Sequence, residues 1–175
     1  MFEDFAGAIA IEGTITGEER PEQVMVGWST VNFFQVLGVR PFIGRDFEPD
    51  DGIPIDPQDF LDPNAILPPG IILLTRGMWQ RQYASDPAVL GKTIQMDGQS
   101  CIIVGVLPRD FRIYSPAYAG MPTNIDVWRV FSIDFDTSPR DGEFLTVIAR
   151  LKPEVTLEQA QTEMDALAVR LQEQF

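Results

Sequence analysis

The sequence predicts an α+β protein, and three observations predict it. Its segments run as short strands, one small helix, more strands and then a single long helix, without the strand-helix alternation of a parallel sheet. Fourteen Gly and fourteen Pro among 175 residues punctuate the chain too often for a helical bundle. Apolar residues make up 45%, enough for one sizeable core in a chain of this length.

The elements follow in order. Residues 6–11 and 23–29 read as strands of a hairpin, with Gly13, Gly17 and the charged residues 18–20 as its turn. Residues 30–37 carry Phe33, Phe34 and Leu37 and read as a short helix or turn, with Asn32 as its cap and Gly38 at its end. Gly44 begins a tight connection. Residues 48–70 are rich in Pro and Asp and read as a surface insertion, since a long irregular loop is uncommon inside a compact domain.

Residues 71–74 form a short buried strand. Thr75 caps a helix over residues 76–83, where Met78, Trp79 and Tyr83 fall at helical spacing. Asp86-Pro87 starts one more turn and Gly91 closes it. Residues 93–96 and 100–106 flank Asp97-Gly98, the pair that a two-residue hairpin turn with positive φ prefers. Residues 112–124 are loop-like, and residues 125–131 form a strand around Trp128. A further strand spans 143–151. Thr156 then caps the long helix, Gln159 completes a capping box, and Val155 packs on Ala160. Leu157, Ala160, Met164, Leu167, Ala168, Leu171 and Phe175 recur on one face, so this stripe is expected to be buried.

Charge and composition narrow the function. A net charge of −13 repels a phosphate backbone and an anionic membrane surface, so neither is an expected partner. The absence of His removes the commonest general base and metal ligand and excludes any His-containing triad. Cys101 is the lone cysteine, flanked by Ile102 and Ile103 in a strand, and reads as a small core hydrophobe rather than a nucleophile. Asp50, Asp51, Asp56, Asp59 and Asp62 are hard oxygen donors, but their irregular spacing lacks a calcium-loop pattern and reads as a solvated loop. No phosphate-binding glycine motif is present, so no catalytic, cofactor or metal residues are assigned. No apolar run reaches membrane-spanning length, and Glu3 and Asp4 after Met1 do not make a signal peptide. Of the exposed-loop aromatics, Tyr114 and Tyr118 in a Gly/Pro-rich stretch are the candidate partner contacts.

One ordered series of motifs covers most of the chain. It runs from Asn32-Phe33-Phe34-Gln35-Val36-Leu37-Gly38 through Gly44-Arg45-Asp46-Phe47 and Trp79-Gln80-Arg81-Gln82-Tyr83 to Val89-Leu90-Gly91. It continues with Asp97-Gly98, Val104-Gly105-Val106-Leu107-Pro108, Asp126-Val127-Trp128 and Leu151-Lys152-Pro153 before the last helix. In this order and spacing the chain resembles the MacB-like periplasmic core domain of FtsX-type ABC transporter permeases. Gly38, Gly44, Trp79, Gly91, Gly98, Gly105 and Trp128 are the structural signature that carries the resemblance.

The resemblance implies a two-lobed fold: a porter-like α/β lobe, incomplete here, from residues 1–29 and 143–175, and an inserted β-rich, Sabre-like lobe with short helices from residues 30–142. It implies that the first membrane helix, and the first strand and helix of the porter lobe, would precede Phe2, with a last strand and second membrane helix after Phe175. It implies an extracytoplasmic location and a non-enzymatic role, coupling ATP-driven motion of those helices to a substrate or adaptor outside. The implied partners are the rest of the permease, its cytoplasmic ATPase, a homodimer mate and a periplasmic adaptor protein, with no cofactor. The alternative is a stand-alone extracytoplasmic module binding a peptide, a glycan or calcium.

Overall fold

The computed structural model describes residues 1–16, 21–54, 58–59, 65, 67–113, 121–131 and 145–174. Its centre is a sheet whose strands are β1 (Phe2–Thr16), β2 (Glu22–Ser29), β3 (Ile43–Gly44), β4 (Gly70–Leu74), β5 (Thr93–Met96), β6 (Gln99–Val106), β7 (Val127–Val130) and β8 (Thr146–Leu151). The helices are α1 (Phe33–Leu37), α2 (Arg76–Tyr83) and α3 (Leu157–Gln174). The mixed α+β class read from the sequence is the class observed.

Six strands close into a ring in the order β1-β2-β7-β4-β6-β5 and back to β1. The parallel pairs are β2–β7 and β4–β6, and the other ring pairs are antiparallel. Closure is possible because β1 is 15 residues long. Its second half pairs with β2 from Ala8↔Ser29 to Ile15↔Glu22, and its last two residues pair with β5. Its first half pairs with β8, which joins the sheet only there. The expected hairpin therefore exists, but β1 extends well beyond residues 6–11 and Gly13 lies within it rather than in the turn. Residues 17–20 lie outside the described residues.

Side chains alternate between two apolar clusters, as a pleated sheet requires. One face of every ring strand points inward: Ile15, Val24, Val26, Ile72, Leu74, Ile94, Met96, Cys101, Ile103 and Val127 share one cluster with Met78 and Trp79 of α2. The opposite faces of β4 and β7 meet α1, where Leu73, Trp128 and Val130 pack with Phe33, Phe34 and Phe47. Trp128 is its centre, stacked on Phe33 at 4.9 Å and edge-on to Phe34 at 5.4 Å between ring centroids. Gly27 is paired with Trp128 across β2–β7, and a Cβ there would sit 2.7 Å from the indole. The bulky indole thus needs a residue without a side chain opposite it.

Local chemistry fixes the short elements. Thr75 Oγ1 accepts the Met78 N–H at 3.3 Å and donates to the Asp126 carbonyl at 2.9 Å, so the cap of α2 also ties it to the start of β7. Arg81 on α2 bridges Glu22 and Asp126, both at 3.1 Å. Asp97 and Gly98 take φ of 50° and 81° in the hairpin, and Asp97 Oδ1 accepts the Thr14 N–H at 2.8 Å, anchoring the tip to β1. Gly44 and Gly105 oppose one another across β3–β6. Gly44 has φ of 79°, and a Cβ there would lie 2.2 Å from the Val104 carbonyl oxygen.

Two expectations need correction. The stretch 48–70 is not wholly irregular: Pro49–Gly52 forms a 3-10 turn whose Asp51 takes both Arg45 terminal nitrogens, at 2.6 and 3.0 Å. The apolar stripe of α3 is not buried. The capping box forms, with Thr156 and Gln159 exchanging bonds of 2.9 and 3.2 Å, and Ala160 is covered. Leu157, Met164, Leu167 and Leu171 are exposed, from 39% to 75%. Helical periodicity reports that one face is apolar; it does not supply an element to cover that face beyond Ala160.

Substituting Gly44 by Ala is expected to lower the unfolding free energy by about 2–4 kcal/mol, because both the left-handed backbone and the Val104 contact must give way. Urea unfolding of the variant checks this; an unchanged midpoint would show that β3 is free to move away from β6.

Candidate functional site

A groove with a coherent chemistry forms where three distant stretches meet. Gly38 takes φ of 71° at the end of α1, where its N–H bonds the Gln35 carbonyl at 3.0 Å, and the chain turns outward through Val39 and Arg40. Pro108 ends the sheet pairing after β6, and the Phe111 N–H returns to the Pro108 carbonyl at 3.1 Å. That turn sends the Phe111 ring onto Phe34 and Trp128, at 5.4 and 6.0 Å. Ile148 of β8 supplies the third wall. The result is a groove of about 490 Å³ with an apolar floor from Leu37, Val39, Phe111, Ile113 and Ile148.

Its rim is cationic. Arg40 and Arg112 line it and are exposed, and Asp110 is the carboxylate among the lining residues. Arg150 of β8 donates to the Val36 carbonyl at the end of α1, and its Nη2 lies 3.3 Å from the position a Gly38 Cβ would take. Among the described residues no ion pair engages Arg40, Arg112 or Arg150. In a chain of net charge −13 this is a local reversal of sign. An apolar floor with a basic rim suits an acidic, partly apolar protein segment; it offers no nucleophile and no acid-base pair.

Of the residues singled out from sequence, Gly38 lines this groove. Trp79 and Trp128 are core anchors; Trp79 donates its indole N–H to the Asp86 carbonyl at 2.8 Å. Gly44, Gly91, Gly98 and Gly105 shape turns and close approaches elsewhere in the fold. Tyr114 and Tyr118 lie outside the described residues, which resume at Met121 after Ile113. Sequence reasoning gave no contact role to Arg40, Arg112 or Ile148; Arg40 entered it only as part of the motif run from Asn32 to Pro41. The signal that could have found them is cationic residues in a strongly acidic chain, but only the fold brings positions 40, 112 and 150 to one place.

A second cleft, of about 440 Å³, opens where β4, β6 and β7 meet the Pro49–Gly52 turn. Arg129 of β7 lines it. This arginine is paired with Ile72 and lies on the inward face of the ring, alternating with Trp128. Its guanidinium carbon lies 4.3 Å from the Trp28 ring centroid, and Nη2 donates to Gln99 Oε1. Burial holds its pKa below the usual arginine range.

Cys101 is fully buried beside this cleft, and burial pushes its thiol pKa up. Asp56 and Asp62 of the acidic stretch lie outside the described residues. Among the described residues no group of three or more acidic or sulfur ligands is placed to hold a metal ion. Nor is any described helix long and apolar enough to cross a membrane.

The scaffold is a sheet closed into a ring with a groove on its flank, and comparison with known proteins names the family. The sequence matches the model of the MacB-like periplasmic core domain over residues 2–167. The chain belongs to that family, and is a periplasmic or extracellular domain of the ABC-type transporter permease class. No curated protein matches it. The fold is that of the periplasmic region of MacB from Actinobacillus actinomycetemcomitans, with a TM-score of 0.66 at 13% identity over 97% of this chain and 67% of the other. It is also similar to the extracellular domain of the noncanonic ABC-type transporter YknZ from Gram-positive bacteria, with a TM-score of 0.57 at 12% identity over 92% of this chain and 70% of the other.

Because Cys101 is buried and its thiol is held neutral, native protein at pH 8 is expected to resist iodoacetamide and to react fully once unfolded in urea. Mass spectrometry of the two samples checks this. Rapid modification of the native protein would mean that the ring opens on the labelling timescale.

Proposed function

We propose that this chain is the extracytoplasmic coupling element of an ABC transporter permease: it carries ATP-driven motion of the membrane helices to a substrate or adaptor outside, and catalyses no reaction itself. The observation that carries this reading is the basic-rimmed apolar groove on an otherwise acidic domain of the MacB-like family. Coupling needs a surface whose affinity for a partner differs between two arrangements of the transporter. The groove draws its walls from α1, from the turn after β6 and from β8. A shift of β8 against β1 therefore changes the groove directly. The rest of the permease and its cytoplasmic ATPase supply the motion. An adaptor protein or a homodimer mate supplies the acidic, apolar segment.

The same reading divides the chain into a porter-like lobe, residues 1–29 and 143–175, and an inserted lobe, residues 30–142. In support of it, β8 touches the sheet only through the first half of β1, and α3, which follows β8, is exposed along most of its length. In this division the groove sits at the seam, since Leu37, Phe111 and Arg112 belong to the inserted lobe and Ile148 to the other.

Two experiments on the full permease test the proposal. Gln80 is exposed and Cys101 is buried, so Gln80→Cys gives this domain one reactive thiol, read against the unsubstituted permease. It is expected to react with a membrane-impermeant maleimide added outside intact cells; labelling only after lysis would overturn the location. The double variant Arg40→Glu/Arg112→Glu is expected to reduce ATP-driven transport at least about fivefold without shifting the melting temperature, as reversal of two exposed charges at a docking rim should. Wild-type transport in that variant would remove the groove from the mechanism.

A further inference from the structure

Arg129 does not line the groove. The structure places Arg129, 5% exposed, on the inward face of a ring whose interior is mainly apolar. Burying a charge without a counter-charge is costly, and buried arginines are normally paired. Among the described residues no carboxylate lies within 4.0 Å of Arg129, and its one hydrogen-bond acceptor is Gln99 Oε1. Gln99 is itself held, because its Nε2 donates to the Pro68 carbonyl at 2.9 Å. Trp28 covers one face of the guanidinium. Gly70 leaves it room: a Cβ there would lie 2.9 Å from the guanidinium carbon. A guanidinium has five N–H donors in a planar fork. One nitrogen is committed to Gln99, and the residual surface of the group opens onto the cleft it lines.

The cleft is bipolar. Arg129 lies deep, while Asp50 and Asp59 line it as exposed groups. Asp51 also lines it but is already matched by Arg45. Ile53, Pro54 and Ile71 supply apolar wall. A purely anionic ligand would meet those rim carboxylates and the overall charge of −13. A ligand carrying both a carboxylate and an ammonium group meets complementary charge at each end. A volume of about 440 Å³ is in the range that holds small ligands.

We propose that the cleft over Arg129 binds a zwitterionic ligand, a short peptide with an apolar side chain, with its carboxylate on the Arg129 guanidinium and its ammonium at Asp50 and Asp59. A carboxylate matches the guanidinium fork and carries less charge than a phosphate or sulfate, so it meets less repulsion in a chain of net charge −13. The site lies on the ring, away from the groove walls, so it does not depend on the coupling reading above.

Calorimetric titration of the 175-residue chain with the dipeptide Leu-Leu tests it, alongside its C-terminal amide and its N-acetyl derivative. The free dipeptide is expected to bind. The amide should bind at least roughly tenfold more weakly, the loss expected for a charge-assisted hydrogen bond to a buried arginine. The N-acetyl form should bind more weakly than the free dipeptide, and Asp50→Asn/Asp59→Asn should abolish that preference while leaving the discrimination against the amide. Arg129→Lys keeps the charge without the fork, and is expected to lose the discrimination against the amide while retaining native circular dichroism. If that variant does not fold, the ligand pair on wild-type protein decides alone. No heat of binding with the free dipeptide, or equal affinity for dipeptide and amide, overturns the proposal.

Discussion

The structure depends on one strand serving three partners. β1 lends its first half to β8, its second half to β2 and its last two residues to β5. Without that length the ring would be an open sheet with two exposed edges, and β8 with α3 would have nothing to join. Closure also sets the interior. Once six strands meet edge to edge, one face of each is turned inward, and the alternation of apolar residues along every strand is committed to a single cluster.

The second constraint is the indole of Trp128. It lies on the outward face of β7, where it would be exposed if α1 did not cover it with Phe33 and Phe34. Gly27 opposite and Phe111 beyond complete its surroundings. The same Phe111 ring then forms part of the floor of the groove. Core packing and the candidate docking surface therefore share residues, so a change at the surface is felt by the core. The short helix α1 has the same double role: its buried side holds Trp128, and its Gly38 end turns the chain into the groove wall.

Charge is distributed with the same economy. The acidic residues lie mostly where water screens them, and the arginines are used at junctions. Arg45 secures the Pro49–Gly52 turn, Arg81 ties α2 to β2 and β7, and Arg150 reaches the end of α1. Arg129 is the exception, since its strongest contacts are an aromatic face and an amide oxygen rather than a carboxylate.

Much of the fold was legible in the sequence because its signals are local. Asp97-Gly98 demands a positive-φ turn, Thr75 and Thr156 cap the helices that follow them, and Gly38 ends α1 in the left-handed region. The ordered motif series likewise carried the family. The length of β1 was not legible, because Gly13 reads as a turn residue and only its pairing with Val24 places it in a strand. Burial along α3 was misjudged because a periodic apolar face is a property of the helix, while its burial is a property of a neighbour. The groove and the Arg129 cleft were invisible for a related reason: residues 38, 112 and 148, and residues 50, 99 and 129, are distant in the chain. By itself, then, the sequence determined the elements, their caps and turns and the family. Only the tertiary structure decided that six strands close into a ring and which charges are left facing its clefts, because pairing and burial depend on partners far along the chain.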